Sequence, residues 1–290
     1  MTIPLLHGLA DFSKAYDGFI LDIWGVIHQG GDAYREAIDC VRQLRSAGKR
    51  VIFLSNAPRR AEKVAAILEE KGIVRALYDG VLSSGEAARI AFETGDTAAI
   101  GKLGKRYFLL AAPDDDDLLH GLDYAPSATV AEADFLLAIG LRDEHSNLAG
   151  HEPFLSEAAS RGLPMLCVNP DREVIRLGTR ELCAGALAAC YNQMGGAVDY
   201  VGKPYPFIYR LSLDMLGIEQ QARVLAVGDG LETDISGARA AGIDSLLVTG
   251  GMLAEELGVS RLEAPDPAAL NALCRKANER PRAAIPTLRW

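Results

Sequence analysis

The chain has 290 residues, a formal net charge of −9 at pH 7, 49% hydrophobic residues and 24% charged residues. This composition is typical of a globular protein, and at about 100–200 residues per domain the length predicts two domains. The negative charge and the lack of a basic stripe argue against a nucleic-acid partner, because a phosphate backbone is bound by clustered Lys and Arg side chains.

No apolar stretch approaches the roughly 18 uninterrupted residues of a membrane span. The N-terminal residues Met1–Gly8 lack the basic and apolar regions of a secretory signal. We therefore predict a cytoplasmic protein without a membrane partner. The five cysteines show no CxxC spacing, which favours buried, reduced thiols over a metal or redox site.

Strand and helix patterns alternate over the first 80 residues. A strand over 18–23 is followed by a helix from about Asp32 to Gly48, and a strand over 50–54 precedes a helix that ends at Gly72. Such short alternation predicts a parallel sheet that is covered by helices on both faces.

A middle segment, 84–183, has candidate strands of its own at Thr97–Ile100, Phe135–Ile139 and Met165–Val168. After it the alternation resumes, with Pro204 as an early helical residue and strands over 223–227 and 244–248. The stretch from Glu279, which contains two prolines, is predicted to be a tail.

The predicted fold is therefore α/β, with a Rossmann-like doubly wound parallel sheet as its core. We assign 1–83 and 184–290 to this core and 84–183 to an inserted α/β domain. Polar residues follow the predicted core strands, at the edge where open α/β sheets bind ligands. They are Asp22, Ser55, Asn56, Lys203, Asp229 and Asp234.

Five of these six residues, taken singly, have an ordinary structural explanation. Asp22 could be a turn carboxylate, Ser55-Asn56 a helix N-cap pair, Lys203 a surface helix start, and Asp234 a helix cap. The four segments in this order, however, resemble the motifs of the haloacid dehalogenase (HAD) superfamily. The segments are Asp22-x-Trp-Gly-Val, Leu54-Ser55-Asn56, Gly202-Lys203-Pro204 and Gly228-Asp229-x3-Thr233-Asp234.

The chain is most similar to subclass IIA of that superfamily, the group with p-nitrophenyl-phosphatase-like and sugar-phosphatase-like enzymes. Members carry an α/β cap between the second and third motifs, which matches 84–183. The resemblance implies that Asp22 is a nucleophile that forms an aspartyl-phosphate. It also implies that Ser55, Asn56 and Lys203 bind the phosphate, and that Lys203 compensates charge during the reaction.

The resemblance further implies a Mg²⁺ cofactor held by Asp22, the backbone carbonyl of Trp24, Asp229 and Asp234, because small, hard Mg²⁺ prefers oxygen ligands. In the cap, Asn169 and Asp171 are expected to contact the substrate. A plain Asx-Pro turn is the alternative explanation of that Asn-Pro-Asp segment.

One residue departs from the family pattern. Phosphatases of the superfamily carry a second Asp, two residues after the nucleophile, that exchanges protons, and Trp24 stands there in this chain. An indole N–H donates a hydrogen bond but exchanges no proton at neutral pH, and loss of general acid–base help typically costs about 10²–10⁴ in rate. Three explanations remain open: acidic leaving groups, another proton donor such as His28, or lost hydrolysis.

The sequence thus predicts a Mg²⁺-dependent phosphohydrolase that acts on a small phosphorylated metabolite. The alternative is a catalytically weak protein with the same fold that binds phosphorylated ligands or has a regulatory role. A homo-oligomer is compatible with either prediction, and the sequence does not identify the substrate.

Overall fold

The computed structural model describes residues 2–112, 117–142 and 147–290. Its strands, in chain order, are β1 (Gly18–Asp22), β2 (Arg50–Ser55), β3 (Gly80–Ser83), β4 (Arg106–Leu110), β5 (Ala125–Pro126), β6 (Phe135–Ala138), β7 (Met165–Cys167), β8 (Glu173–Arg176), β9 (Thr179–Leu182), β10 (Val198–Tyr200), β11 (Val224–Gly228), β12 (Asp244–Val248) and β13 (Ala283–Ile285). Its α-helices are α1 (Arg35–Ser46), α2 (Ala61–Glu70), α3 (Ser84–Thr94), α4 (Glu152–Ser160), α5 (Ala184–Gln193), α6 (Pro206–Leu216), α7 (Ser236–Ala240), α8 (Ala254–Leu257) and α9 (Pro267–Lys276).

The larger sheet has six parallel strands in the order β13-β12-β11-β1-β2-β3. The chain runs outward from β1 through β2 to β3, and later runs outward in the other direction from β11 through β12 to β13. The topological switch point therefore lies between β1 and β11, which is where open α/β sheets bind ligands. This order confirms the predicted Rossmann-like doubly wound core.

Alternating residues of the central strands explain why both faces of this sheet are covered. Phe19 and Leu21 pack in the cluster that includes apolar residues of α1 and α2, while Ile20 packs in the cluster that includes residues of α3, α6 and α7. All three side chains are 2% exposed or less. A strand buried on both sides is apolar at nearly every position, as parallel strands generally are.

The second sheet has the order β10-β7-β6-β4-β5 and is also parallel. The antiparallel hairpin β8–β9, residues 173–182, forms a separate two-stranded sheet that extends from the cap towards the core. Helix α5 and strand β10 pack with this second sheet. The sequence instead predicts that the core resumes at residue 184. Helix α3, conversely, contacts β3 and α6. We propose that the cap runs from the end of α3 to about Tyr200.

Three predicted features differ in the structure. Helix α6 begins at Pro206, so Pro204 lies in the turn before the helix. The expected strand Thr97–Ile100 is absent, and a 3₁₀ turn begins at Ile100, because only that side chain of the four is buried. The expected tail from Glu279 instead contains β13, which pairs with β12. Its flanking prolines bracket an edge strand, a position that proline tolerates.

No helix in the three described segments is long and apolar enough to cross a membrane.

The edge strand β13 leads to a prediction about stability. Ile285 is fully buried against the core cluster, so Ile285→Ala should lower the free energy of unfolding by about 2–4 kcal/mol. Urea unfolding measures this change. Leu262→Ala is the control, because Leu262 is 49% exposed and its truncation should stay within about 0.5 kcal/mol. Equal small effects would mean that β13 contributes no core packing.

Candidate active site

The polar residues that follow the core strands meet at one edge of the larger sheet. Asp22 is the last residue of β1, Ser55 the last of β2, and Asp229 the first after β11. Lys203 lies between β10 and α6, and Asp234 lies in a single π-helical turn, Leu231–Ile235. Parallel strands bring their carboxyl ends to the same edge, so residues far apart in the chain become neighbours.

A buried ammonium group joins two of the carboxylates. Lys203 Nζ lies 2.7 Å from Asp22 Oδ1 and 2.7 Å from Asp234 Oδ1. The three side chains are between 3% and 7% exposed. Asp229 is buried beside them, and one oxygen from each of the three Asp side chains lies within 4.8 Å of the others. Three carboxyl groups thus share one cation.

This excess of carboxyl groups shifts their pKa values. Burial, and then the neighbouring Asp234 and Asp229, raise the pKa of Asp22 well above its usual range, although Lys203 opposes the shift. Burial and Asp234 raise the pKa of Asp229 to about 7. Burial alone would lower the pKa of Lys203, but Asp22 and Asp234 outweigh it and raise that pKa. A further cation would therefore be stabilised here.

The position of the Asp229 side chain depends on residues that are not among the predicted site residues. Gly25 has a φ of +80°, and a Cβ built on it would lie 1.8 Å from Asp229 Oδ2; one built on Gly251 would lie 2.1 Å from the same oxygen. The backbone N–H of Met252 donates to that oxygen at 2.7 Å. Only glycine leaves room for the carboxylate at both positions. Each glycine lies three residues after the last residue of a core strand, β1 or β12, and that position was the available signal.

The donor set fits a magnesium ion. Asp22, Asp229 and Asp234 offer hard oxygen atoms close together, and the local charge without an ion is negative. Asp234 Oδ2 also accepts the Gly230 N–H at 3.1 Å, which holds the π-helical turn against the site. The carbonyl of Trp24 remains a predicted fourth ligand.

The Ser-Asn pair divides into two roles. The Ser55 hydroxyl oxygen accepts the Ala57 N–H at 3.2 Å, and its own proton remains available to a ligand. The Asn56 side chain is bonded to protein instead, because its Oδ1 accepts the Lys203 N–H at 2.7 Å and its Nδ2 donates to Asp171 Oδ1 at 2.8 Å and to the Lys203 carbonyl at 3.2 Å. Phosphate binding by Asn56 stays a prediction, and in this geometry it would use the backbone.

The Asn-Pro-Asp segment of the cap reaches this network. Asn169 Oδ1 accepts the Asp171 N–H at 3.1 Å, so Asn169 shapes the turn from within. Asp171 lines a cavity of about 930 Å³ between cap and core, together with Tyr200, Tyr205, Gly230 and Thr233. Asn169 is not among the cavity's lining residues, and neither are Asp22, Lys203, Asp229 and Asp234, so the cavity adjoins the core site without containing it. Asp171 is therefore the better placed of the two for a ligand.

Trp24 attaches the cap hairpin to the loop after β1. Its indole N–H donates to the Ile175 carbonyl at 2.9 Å, and the guanidinium carbon of Arg176 lies 4.7 Å from the ring centroid. Next to this contact, the Leu177 N–H donates to the Gln29 carbonyl at 3.0 Å. The residue at the position of the missing proton donor thus joins the two domains.

His28, an alternative proton donor, is buried and neutral. Burial, with Lys71 and Arg176 nearby, lowers the pKa of His28 to about 4. Its Nδ1 accepts the Gly30 N–H at 3.1 Å, and its ring makes an edge contact with Trp24 at a centroid distance of 5.1 Å. A neutral imidazole is a poor acid at neutral pH, so these contacts favour a structural role for His28 in the loop.

Comparisons with known proteins identify the family of this chain. The family profile described as haloacid dehalogenase-like hydrolase matches residues 19–125, and a HAD-hydrolase-like profile matches residues 200–284. Human chronophin is 31% identical over 274 residues, which cover 88% of this chain and 86% of chronophin. The chain belongs to the haloacid dehalogenase-like hydrolases.

Further relatives of this HAD hydrolase place it in subclass IIA. The sugar phosphatase AraL of Bacillus subtilis is 26% identical over 86% of this chain and 88% of its own. A HAD-like hydrolase structure from Brucella suis superposes with a TM-score of 0.81 at 30% identity, covering 98% of this chain and 99% of that one. The p-nitrophenyl phosphatase of Archaeoglobus fulgidus gives 0.70 at 25% identity, covering 94% and 96%.

The contact between Trp24 and the hairpin yields a prediction for this HAD hydrolase. Trp24→Phe keeps a ring beneath Arg176 and removes the indole N–H, and one hydrogen bond of about 0.5–1.5 kcal/mol is lost. Hydrogen exchange at the Leu177 amide should become about two- to tenfold faster. Exchange in β1 is the internal control and should not change. Unchanged exchange at Leu177 would show that the indole bond does not hold the hairpin.

Proposed function

We propose that this HAD hydrolase is a Mg²⁺-dependent phosphatase that acts on a small phosphorylated metabolite through an aspartyl-phosphate on Asp22. The buried contact of Lys203 with both Asp22 and Asp234 carries the proposal. The fold itself does not require an ammonium group and three carboxyl groups at one edge of the sheet. Buried charges without partners are costly, so this cluster points to a functional role. A phosphoryl group at this edge would meet a nucleophile and a cation together.

The protein's own residues account for most of the reaction. Asp22 attacks phosphorus with its carboxylate, while Lys203 offsets the negative charge on the nucleophile and on the transferring group. The Ser55 hydroxyl donates to a phosphate oxygen. Water then hydrolyses the aspartyl-phosphate and restores Asp22, which divides one difficult step into two easier ones. A bound Mg²⁺, held by Asp22, Asp229 and Asp234, would neutralise phosphate oxygens.

The cavity beside the site favours a monophosphate with an uncharged remainder. Its volume of about 930 Å³ is ample for a small metabolite. Its described lining includes the acidic Glu173, Glu232 and Glu256 and the basic Arg172 and Lys276. These residues do not form the cluster of basic side chains that a second phosphate group would need. The names of the relatives, among them a sugar phosphatase and a ribonucleotide monophosphatase, fit this class of substrate.

Phosphate release is the direct test. Wild-type protein with Mg²⁺ should release phosphate from a panel of aryl, sugar and nucleoside monophosphates, and Asp22→Asn should lower this release by at least about 10³-fold. Asp17→Asn is the matched control, because Asp17 precedes the opposite end of the same strand. A second candidate function, ligand binding without turnover, is favoured by Trp24; it would be supported by tight binding of phosphorylated ligands with no release from any of them.

Metal binding has a test that is independent of turnover. Mg²⁺ should raise the melting temperature, because a ligand at about 100 times its Kd adds about 2.7 kcal/mol to the folded state. Asp229→Asn should reduce that increase, whereas Asp17→Asn should retain it. Differential scanning calorimetry of the three proteins, with and without Mg²⁺, measures the effect. An equal increase in Asp229→Asn would place the ion elsewhere.

A further inference from the structure

The structure leaves one chemical requirement of the proposed reaction without an obvious residue. An alcohol leaves phosphorus readily only when its oxygen receives a proton. The Trp24 N–H is bonded to the Ile175 carbonyl, and His28 is neutral. Among the described residues that face the cleft, a different acid must therefore be found.

We infer that Asp171, on the cap, protonates the leaving oxygen and so takes the role that an Asp at position 24 would have had. This inference rests on the proposed phosphatase function. The Asp171 carboxyl group lies at the mouth of the core site, because its Oδ1 accepts from Asn56 Nδ2 at 2.8 Å and Asn56 in turn holds the backbone of Lys203. It also lines the cavity that would hold the leaving group.

The direction of the reaction favours this position. Phosphoryl transfer places the attacking and leaving oxygens roughly in line on opposite sides of phosphorus. Asp22 attacks from the end of β1, in the core, so the leaving oxygen points away from the core and towards the cap. Of the two acidic cap residues that line the cavity, Asp171 and Glu173, Asp171 is the one hydrogen-bonded to Asn56 beside Lys203, whereas Glu173 pairs with Arg180. The Gly185 N–H, which donates to the Asp171 carbonyl at 3.1 Å, and Asn169 hold the turn that carries it.

The surroundings of Asp171 favour its protonated form. Burial raises the pKa of the Asp171 carboxyl group, and Asp234 adds to the increase, while Lys203 and the Asn56 amide oppose it. The nearby Cys183 thiol stays uncharged because burial raises its pKa to about 12. Oδ2 of Asp171 has no hydrogen-bond partner among the described residues, so this oxygen can carry the proton.

The proton balance is complete. In the first step the Asp22 carboxylate forms a bond to phosphorus, the bond from phosphorus to the leaving oxygen breaks, and the proton of Asp171 moves to that oxygen. In the second step the Asp171 carboxylate accepts a proton from the attacking water, and the bond between phosphorus and Asp22 breaks. Asp22 returns as a carboxylate, phosphate is released, and Asp171 is protonated again.

Asp171→Asn separates this role from a structural one. Its side-chain oxygen can still accept the Asn56 hydrogen bond, but the residue has no proton to transfer. In single-turnover experiments, release of an alkyl alcohol from a sugar phosphate should slow by about 10²–10⁴. Release of nitrophenolate from p-nitrophenyl phosphate should change by less than about threefold, because that leaving group departs without a proton. With excess p-nitrophenyl phosphate, turnovers after the first should slow, because the substituted side chain cannot accept the proton of the attacking water. Release of nitrophenolate should therefore show a burst.

Two further variants make the outcome decisive. Asp199→Asn removes an exposed carboxylate of the cap strand β10, outside the cavity lining, and should slow the release of neither leaving group. Equal slowing of both leaving groups in Asp171→Asn, or no slowing of either, would overturn the inference. Asp22→Asn tests the underlying function separately: if it abolishes release while Asp171→Asn shows no selectivity, the phosphatase proposal stands and the role of Asp171 falls.

Discussion

The contact of the Lys203 ammonium with Asp22 and Asp234 is the constraint on which the rest of the site depends. Two oxygens at 2.7 Å compensate a cation whose side chain is only 3% exposed, and removal of one partner from such a pair typically costs about 3–5 kcal/mol. The contact requires β1, the end of β10 and the turn after β11 to meet within one side chain's length. The doubly wound sheet satisfies this requirement at its switch point.

Several otherwise unremarkable residues follow from this constraint. Asn56 uses its amide on both the N–H and the carbonyl of Lys203, and so fixes the backbone that carries the ammonium. Gly25 and Gly251 leave space for Asp229, the carboxyl group that Lys203 does not reach. The hydroxyl of Tyr209, a residue of α6, donates to the Asp234 carbonyl at 3.0 Å. These contacts to the charged groups come from the core, and they leave the side of the site that faces the cap free for a ligand.

The sequence predicted the core well because buried parallel strands are apolar at almost every position. The polar residue after each strand then identified the edge, and Asp22, Lys203, Asp229 and Asp234 do meet there. Contacts between distant segments could not be predicted in this way. The bonds of Asn56 to Lys203 and Asp171, and that of Trp24 to Ile175, depend on tertiary geometry and leave no periodic pattern. Strand β13 was missed because its prolines suggested a tail.

The position of Lys203 in the chain links the cap to the charge balance of the core. Only Val201 and Gly202 separate it from β10, the last strand of the cap sheet. Asn56 of the core holds the Lys203 backbone at both its N–H and its carbonyl, so the chain becomes fixed to the core within three residues of the cap sheet. Any shift of the cap at this crossing must be taken up at Val201 and Gly202 if Lys203 is to keep its contacts with Asp22 and Asp234.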